Sequence, residues 1–596
     1  MKLFSWIAGI ALVFAAIFFL RYSIEHGWLS PPIRMAIGLA VGAGLLIFCE
    51  LRPAQRYAVT ANALDAAGIA ILFSTMFASH AVWHLLPQLP TFILMALVTA
   101  VAVLLSVRRD SVFISLLGLV GGFATPALLS TGEDRPIGLF SYLLLLNAGL
   151  AWVAFRKGWP LLTAVSVAFT ALYEWGWVVK FLDASRLPLA MSIFLVFPVL
   201  HVAAVAVAAR PHDARGAEPL FGQAATVSTL LPVIFALYMA SIPAYGAQYV
   251  LLFGFLFLVV VGLSAVALGR GPQQLYLLGG LSTILAFVIW LALSYRRPAW
   301  PGVLAVVVAF VLLHLGVPML ARRRGRPFVG HELATAVAPA LLVAFPALAA
   351  IEPATAAPGL LFGVLFALLI VLAAAAVLNE EGRLHFLAAF FALAAEAVWS
   401  AKYLTPERLL SALTMYAAFG LFYLGVPLIA ERQGKKLQPR GAGAVVLFVS
   451  LALLFFLAAG PVARSALWGM ALLLAILNLG LLREASAGTL PLLSILGMAL
   501  SWIVIAVWWA TAMVAVMLIP SLMVVAGFAL LILGGGVWAR RRAEAAGAAT
   551  GAAAALLQQG LALALVGHLF LPLQELEWVN CDHFVRGRWG GGGAGR

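Results

Sequence analysis

Apolar runs close to the about 20 residues that a helix needs to cross a bilayer recur from one end of this chain to the other. In lipid, every backbone N–H and C=O must be satisfied internally, so a chain built from such runs has only helices or a closed barrel open to it. The runs are continuous rather than alternating, which selects helices. They begin near residues 4, 33, 61, 91, 111, 137, 159, 188, 224, 246, 275, 299, 331, 358, 383, 408, 442, 465, 487, 513 and 552. With 64% apolar and 10% charged residues in 596, the composition excludes a soluble globular chain. The expected fold class is therefore all-α integral membrane, with about 21 transmembrane helices.

The first run, FSWIAGIALVFAAIFFL, lacks a small-x-small cleavage site and is followed by many more spans, so it reads as an uncleaved first helix rather than a signal peptide. The net charge of +14 is a topology signal. With the N-terminus cytoplasmic and the spans alternating, 23 of the 36 Lys and Arg residues fall on the inner side, among them Arg108, Arg109, Arg156, Lys157, Arg322 to Arg324 and Arg540 to Arg542. A multi-pass protein with a cytoplasmic N-terminus and the lipid bilayer as its surroundings is expected, and no nucleic acid as a partner. Cys49 and Cys581 fall on opposite sides and cannot pair.

Internal repetition organises the chain. Trp290, Trp399 and Trp508 recur at one spacing, as do Leu315, Leu424 and Leu533, and Ala321, Ala430 and Ala539, the alanines opening basic loops. The strings LYEWGWVVKFL at 172–182 and AAEAVWSAKYL at 394–404 share E-x-x-W-x-x-K-[FY]-L, with Phe287 and Ile505 at the acid's position elsewhere. LNAGL at 146–150 and LNLGL at 477–481 are a further pair, and Pro126, Pro232 and Pro339 recur upstream. The reading is five parallel four-helix units, at 1–110, 111–223, 224–330, 331–441 and 442–551. A last transmembrane helix follows at 552–572, and then a disordered or artefactual tail at 573–596. Gly38-x-x-x-Gly42 and Gly118-x-x-x-Gly122 are expected to be close-packing faces.

The candidate ligand or proton site is built from Glu174, Glu396, Trp177, Trp399, Lys180 and Lys402. The acids precede the lysines by six residues, roughly 9 Å of depth, and an acid there is either satisfied by a neighbouring helix or carries a proton. The Trp and Lys residues also fit an interfacial belt. Asp65 and Glu50 are expected to pair locally, near Arg52 and Arg56, and Asn147 and Asn478 to tie helices together. His80 and His84 have helical metal-ligand spacing, but no metal site is expected from them. No GK[ST] phosphate loop, HExxH or GxSxG occurs, so no enzymatic activity, catalytic residue or cofactor is expected.

The segments RYSIEHGWLSPPIRMAIGLAVGAGLLIFCELR at 21–52 and SLLGLVGGFATPALLSTGEDRPIGLFSYLLLLNAGLAWVAFRKGWP at 115–160 resemble the bacterial predicted membrane proteins grouped as domain of unknown function 2339. HGWLSPPIR and GGFATPALLSTGE followed by LLNAGL carry the likeness. It implies a bacterial inner-membrane location and no catalytic residues. Members usually carry a charged segment before the first helix and end differently, so both ends are expected to be truncated. Three functional readings follow. The first is binding or transport of a small amphipathic or envelope-lipid molecule in an outward cavity near Glu174 and Glu396. The second is a non-transporting scaffold for envelope assembly. The third is an intramembrane transferase on a lipid-linked substrate, with only Glu25, Glu133, Asp134 and Asp183 as outer acids.

Overall fold

The computed structural model describes residues 2–27, 30–50, 58–208, 226–269, 273–328, 331–435, 442–459, 467–487, 491–511 and 518–545, with positions 223, 437, 560 and 563. The expected helix at 552–572, the tail and Cys581 lie outside the described residues, except for positions 560 and 563. Regular structure among the described residues is entirely helical. Among the described residues, fourteen helices are long and apolar enough to cross a membrane by length and composition, and six shorter apolar helices accompany them. Each of the first twenty apolar runs of the sequence coincides with one of these helices.

The chain divides into two units, Met1–Leu275 and Tyr276–Arg596. The first holds α1 (Lys2–His26), α2 (Pro31–Glu50), α3 (Ala58–Ala81), α4 (Gln88–Arg109), α5 (Val112–Leu128), α6 (Pro136–Lys157), α7 (Pro160–Phe181), α8 (Leu187–Ala208), α9 (Leu230–Ser241) and α10 (Tyr249–Leu268). The second holds nearly all of α11 (Gln274–Leu293), then α12 (Trp300–Arg323) and α13 (His331–Ala340). A 3-10 turn at Leu341–Val343 follows Pro339, and the helix resumes as Ala344–Ile351. Next come α14 (Pro358–Asn379), α15 (Gly382–Tyr403), α16 (Leu409–Arg432), α17 (Ala442–Ala459), α18 (Leu467–Ala487), α19 (Pro491–Thr511) and α20 (Leu518–Ala545).

Within each unit most helices pack in two rows, while α2 packs on α3, and α9 on α8 and α10. In the first unit α1, α3, α5 and α7 pack in succession, and so do α4, α6, α8 and α10. In the second, α13, α15, α17 and α19 form one row and α12, α14, α16, α18 and α20 the other. The connections explain the arrangement. Asp110 and Ser111 alone join α4 to α5, Gly158 and Trp159 join α6 to α7, and Glu380 and Glu381 join α14 to α15. A two-residue link forces the chain to reverse, so neighbours in sequence run antiparallel and helices two apart run parallel. Each of these links begins with a left-handed residue, Asp110 (φ 53°), Gly158 (φ 68°) or Glu380 (φ 58°), whose N–H closes the preceding helix. The packing thus repeats every two helices, as in helical repeat proteins.

Both glycine pairs sit where helices approach most closely. A Cβ on Gly38 would run into the Thr75 hydroxyl, one on Gly42 would lie 2.7 Å from Leu72, and one on Gly118 2.8 Å from Ala102. Lipid-facing positions, by contrast, carry large apolar side chains such as Leu145, Val179 and Leu410 in the open.

Candidate functional site: buried carboxylates on α7 and α15

Glu174 belongs to the first unit and Glu396 to the second, and each is described within its own unit. Each lies on the inner face of an odd-row helix and is fully or almost fully buried, Glu174 at 0% exposed and Glu396 at 2%.

The tryptophans three residues on do the same work in both units. Trp177 Nε1 donates to Asp134 Oδ1 at 2.8 Å, in the connection between α5 and α6. Trp399 Nε1 donates to the Thr355 carbonyl at 2.8 Å, in the connection between α13 and α14. Further contacts repeat as well. Lys180 and Lys402 are exposed and lie over the rings of Phe181 and Tyr403, at 4.9 and 5.2 Å. Arg186 and Arg408 donate to the carbonyls of Phe181 and Tyr403, at 3.3 and 3.4 Å. The tryptophans of the shared motif thus tie loops to the helix, the lysines are exposed, and the acid is the buried ionisable member.

The loops they hold are themselves networked. In the first unit Asp134 pairs with Arg186, which also meets Asp183 at 3.4 Å. The Ser185 hydroxyl, at 2.5 Å, and neighbouring backbone N–H groups hold the exposed Asp183 carboxyl below the usual range. In the second, Tyr295 donates to Glu352 Oε2 at 2.5 Å, Tyr403 donates to the Glu352 carbonyl at 3.0 Å, and Lys402 reaches the Ala350 carbonyl. Burial and the Glu352 carboxylate push the Tyr295 phenol well above its ordinary range. The outer acids of the transferase reading are thus held in local pairs: Glu133 with Arg135, Glu25 with Arg21, and Asp134 and Asp183 with Arg186.

Around Glu396 the even row supplies polar partners. Tyr423 on α16 donates to Glu396 Oε1 at 3.2 Å, and Ser400, one turn along α15, bonds the Glu396 carbonyl at 2.5 Å and the Tyr416 hydroxyl. A cavity of about 30 Å³ adjoins them, bounded by Glu396, Tyr416, Tyr423 and Ser450 with leucines of α17 and α18. That is room for roughly one or two waters. Between α15 and α17 runs a larger, wholly different space of about 420 Å³, lined by Phe390, Leu393 and Ala394, Ala397 and Ala401 on one side and by Val449, Ala452, Leu453 and Phe456 on the other. A further pocket of about 170 Å³ shares Phe390, Leu393 and Val449 and carries the groove on to Phe386. Leu393 and Leu453 border both the groove and the small cavity beside Glu396.

In the first unit the same register gives a different result. His201 on α8 stands 27 residues after Glu174, as Tyr423 stands 27 after Glu396, and is 2% exposed. Neither Glu174 oxygen has a hydrogen-bond partner among the described residues, whereas the buried His201 ring meets the Phe197 carbonyl one turn back on its own helix. His314 on α12 holds the corresponding place after Phe287, buried against Tyr276 and Thr283. Sequence reading missed His201, His314 and Tyr423, although the spacing between His314 and Tyr423 equals that between Trp290 and Trp399 and would have exposed them.

Other expectations resolve as follows. Asn147 donates to the Thr170 hydroxyl at 2.9 Å, and Asn478 accepts from Ser501 at 3.1 Å, so each asparagine ties its helix to the next. Glu50 and Asp65 do pair near the ends of α2 and α3, but the partners are Arg108 and Arg109: Glu50 with both, at 3.0 and 3.3 Å, and Asp65 with Arg109 at 3.2 Å. The row packing brings the last turn of α4 beside them, whereas Arg52 and Arg56 lie outside the described residues. Cys49 is free and buried in this cluster. His80 Nδ1 lies 2.9 Å from the Leu86 carbonyl, and no group of three or more His, Cys, Asp or Glu residues able to hold a metal occurs among the described residues.

Parallel rows of apolar helices, large side chains facing outward and carboxylates sequestered on inward faces together define a multi-pass helical membrane protein. More particularly, residues 1–247 match the model of the family described as predicted membrane protein, DUF2339, which bears out the resemblance read from 21–52 and 115–160. The match takes in Glu174, Trp177, Lys180 and His201, and stops short of the second unit. No curated protein and no solved structure matches the chain.

Proposed function

We propose that the second unit binds an amphipathic, lipid-like molecule, with its hydrocarbon chain along the groove between α15 and α17 and its polar end turned toward Glu396. The supporting observation is that Leu393 and Leu453 form a wall common to the apolar groove and the small cavity beside Glu396. From Phe386 to Ala401 the groove follows α15 for roughly 22 Å, longer than the about 15 Å of hydrocarbon in one leaflet. Its apolar lining at that depth excludes a hydrated solute, and its alanines leave the width that bulkier side chains would fill. The Glu396 carboxyl, with Tyr416, Tyr423 and Ser450, offers hydrogen bonds to a hydroxyl, amide or amine.

In this reading the N-terminus is cytoplasmic, because the basic loops gather on the side of the α4–α5, α6–α7 and α14–α15 links. The membrane is a bacterial inner membrane, and the four-helix units are tandem copies pointing the same way. Repetition of the Trp, Lys and Arg contacts in α7 and α15 supports the last point. Native mass spectrometry of the purified full chain tests the binding. Lipid retained by the wild type is expected to be lost in Ala397→Phe, which fills the groove, and to change in headgroup class in Glu396→Gln. Equal retention of the same lipids by all three proteins would refute the reading.

A further inference from the structure

The buried face of α7 carries polar side chains at every turn. Thr163, Ser166, Thr170, Glu174 and Trp177 follow one another at spacings of three and four, and none is more than 4% exposed. From Thr163 to Trp177 they span 15 residues, roughly 21 Å of the about 30 Å hydrocarbon core. Asn147 joins this face from α6 and His201 lies buried on the neighbouring α8. Beyond one end lies the Lys157–Asp110 pair at 2.9 Å, and at the other Trp177 reaches the Asp134–Arg186 pair.

Three of these residues hold buried polar atoms without a hydrogen-bond partner among the described residues: Thr163 Oγ1, Asn147 Oδ1 and both oxygens of Glu174. Each such group at membrane depth is costly while it lacks a hydrogen-bond partner, so a series of them on one face calls for a reason. The second unit shows that the fold does not require them. At the matching positions of α14 and α15 stand Leu369, Ala388 and Ala392, leaving only His385, Glu396 and Trp399 of the series. Polar groups thus run the length of the face in one copy and are interrupted by two alanines in the other.

The geometry points to a proton path through the first unit along the inner face of α7, with Glu174 and His201 as its carriers. A proton arriving from the Asp134 end adds to a Glu174 carboxylate oxygen. It leaves to a His201 ring nitrogen, restoring the carboxylate with no net change, while the Thr170 and Ser166 hydroxyls, which donate to the Ser166 and Thr163 carbonyls, present their oxygens along the face. Besides these carriers, the titratable or charged groups on the helices packed around α7 are Tyr142, Arg156 and Lys157 on α6 and Tyr238 on α9, with none on α5. The path does not depend on lipid binding by the second unit.

Proton flux into liposomes containing the full chain and an internal pH dye, driven by a potassium potential with valinomycin, tests the path. Wild-type flux is expected to exceed that of protein-free liposomes, to fall at least tenfold in Glu174→Gln and to fall in Thr170→Val. It should be retained in Leu172→Ala, on the lipid-facing side of the same helix. Glu174→Gln keeps the shape and removes only the titration, so loss of folding does not mimic the result. Wild-type flux at the protein-free level, equal flux in Glu174→Gln, or a sodium flux in place of proton flux at fixed pH would each overturn the inference.

Discussion

At the scale of single residues, the shared motif separates into structural and chemical parts. Trp399 is fully buried, and its indole N–H is the partner that the Thr355 carbonyl finds. Trp399→Phe should therefore cost about 1–3 kcal/mol, the penalty for leaving that carbonyl unpaired. Lys180→Ala, at an exposed position, should stay within about 0.5 kcal/mol. Thermal unfolding in detergent measures both, and equal effects would contradict the assigned roles. The motif itself was legible in the sequence because Glu, Trp and Lys are rare in apolar runs and recur in one order. His201 and Tyr423 were not, because a single His or Tyr in a helix carries no local signal. Their meaning comes from the residue that stands 27 positions earlier on another helix.

At the scale of elements, small residues determine which helices touch. Gly42 of α2 faces Leu72 and the Gly68 carbonyl of α3, with a Cβ already 2.7 Å from one and 3.2 Å from the other. Gly42→Leu should destabilise the first unit by about 1–3 kcal/mol through overpacking. Gly44→Leu, on the same helix with open space around it, should be close to neutral. Chemical denaturation followed by tryptophan fluorescence would check the pair. Both close-packing motifs were readable from their spacing. The partner helix was not, since spacing names a face and says nothing about what lies across from it. The Glu50, Asp65 and Arg109 cluster shows the same limit: sequence proximity favoured Arg52 and Arg56, while the packing of α4 beside α3 supplied Arg109.

For the whole molecule, the apolar runs made the helices legible one by one, because length and continuity suffice to mark a span. The two-row packing was not legible, because faces of α14 or α10 that are apolar all round carry no directional pattern. If the units are parallel copies, cysteines placed after Ala321, Ala430 and Ala539 should all react with an impermeant maleimide from one side of the membrane. Labelling from different sides in intact cells and inverted vesicles would exclude that topology. The row arrangement also bears on how such a long chain is made. In each unit the main contacts of a helix reach back only to the two that precede it. Every hairpin released sideways from the insertion machinery therefore finds its docking face already synthesised, and assembly can keep pace with the ribosome without waiting for the end of the message.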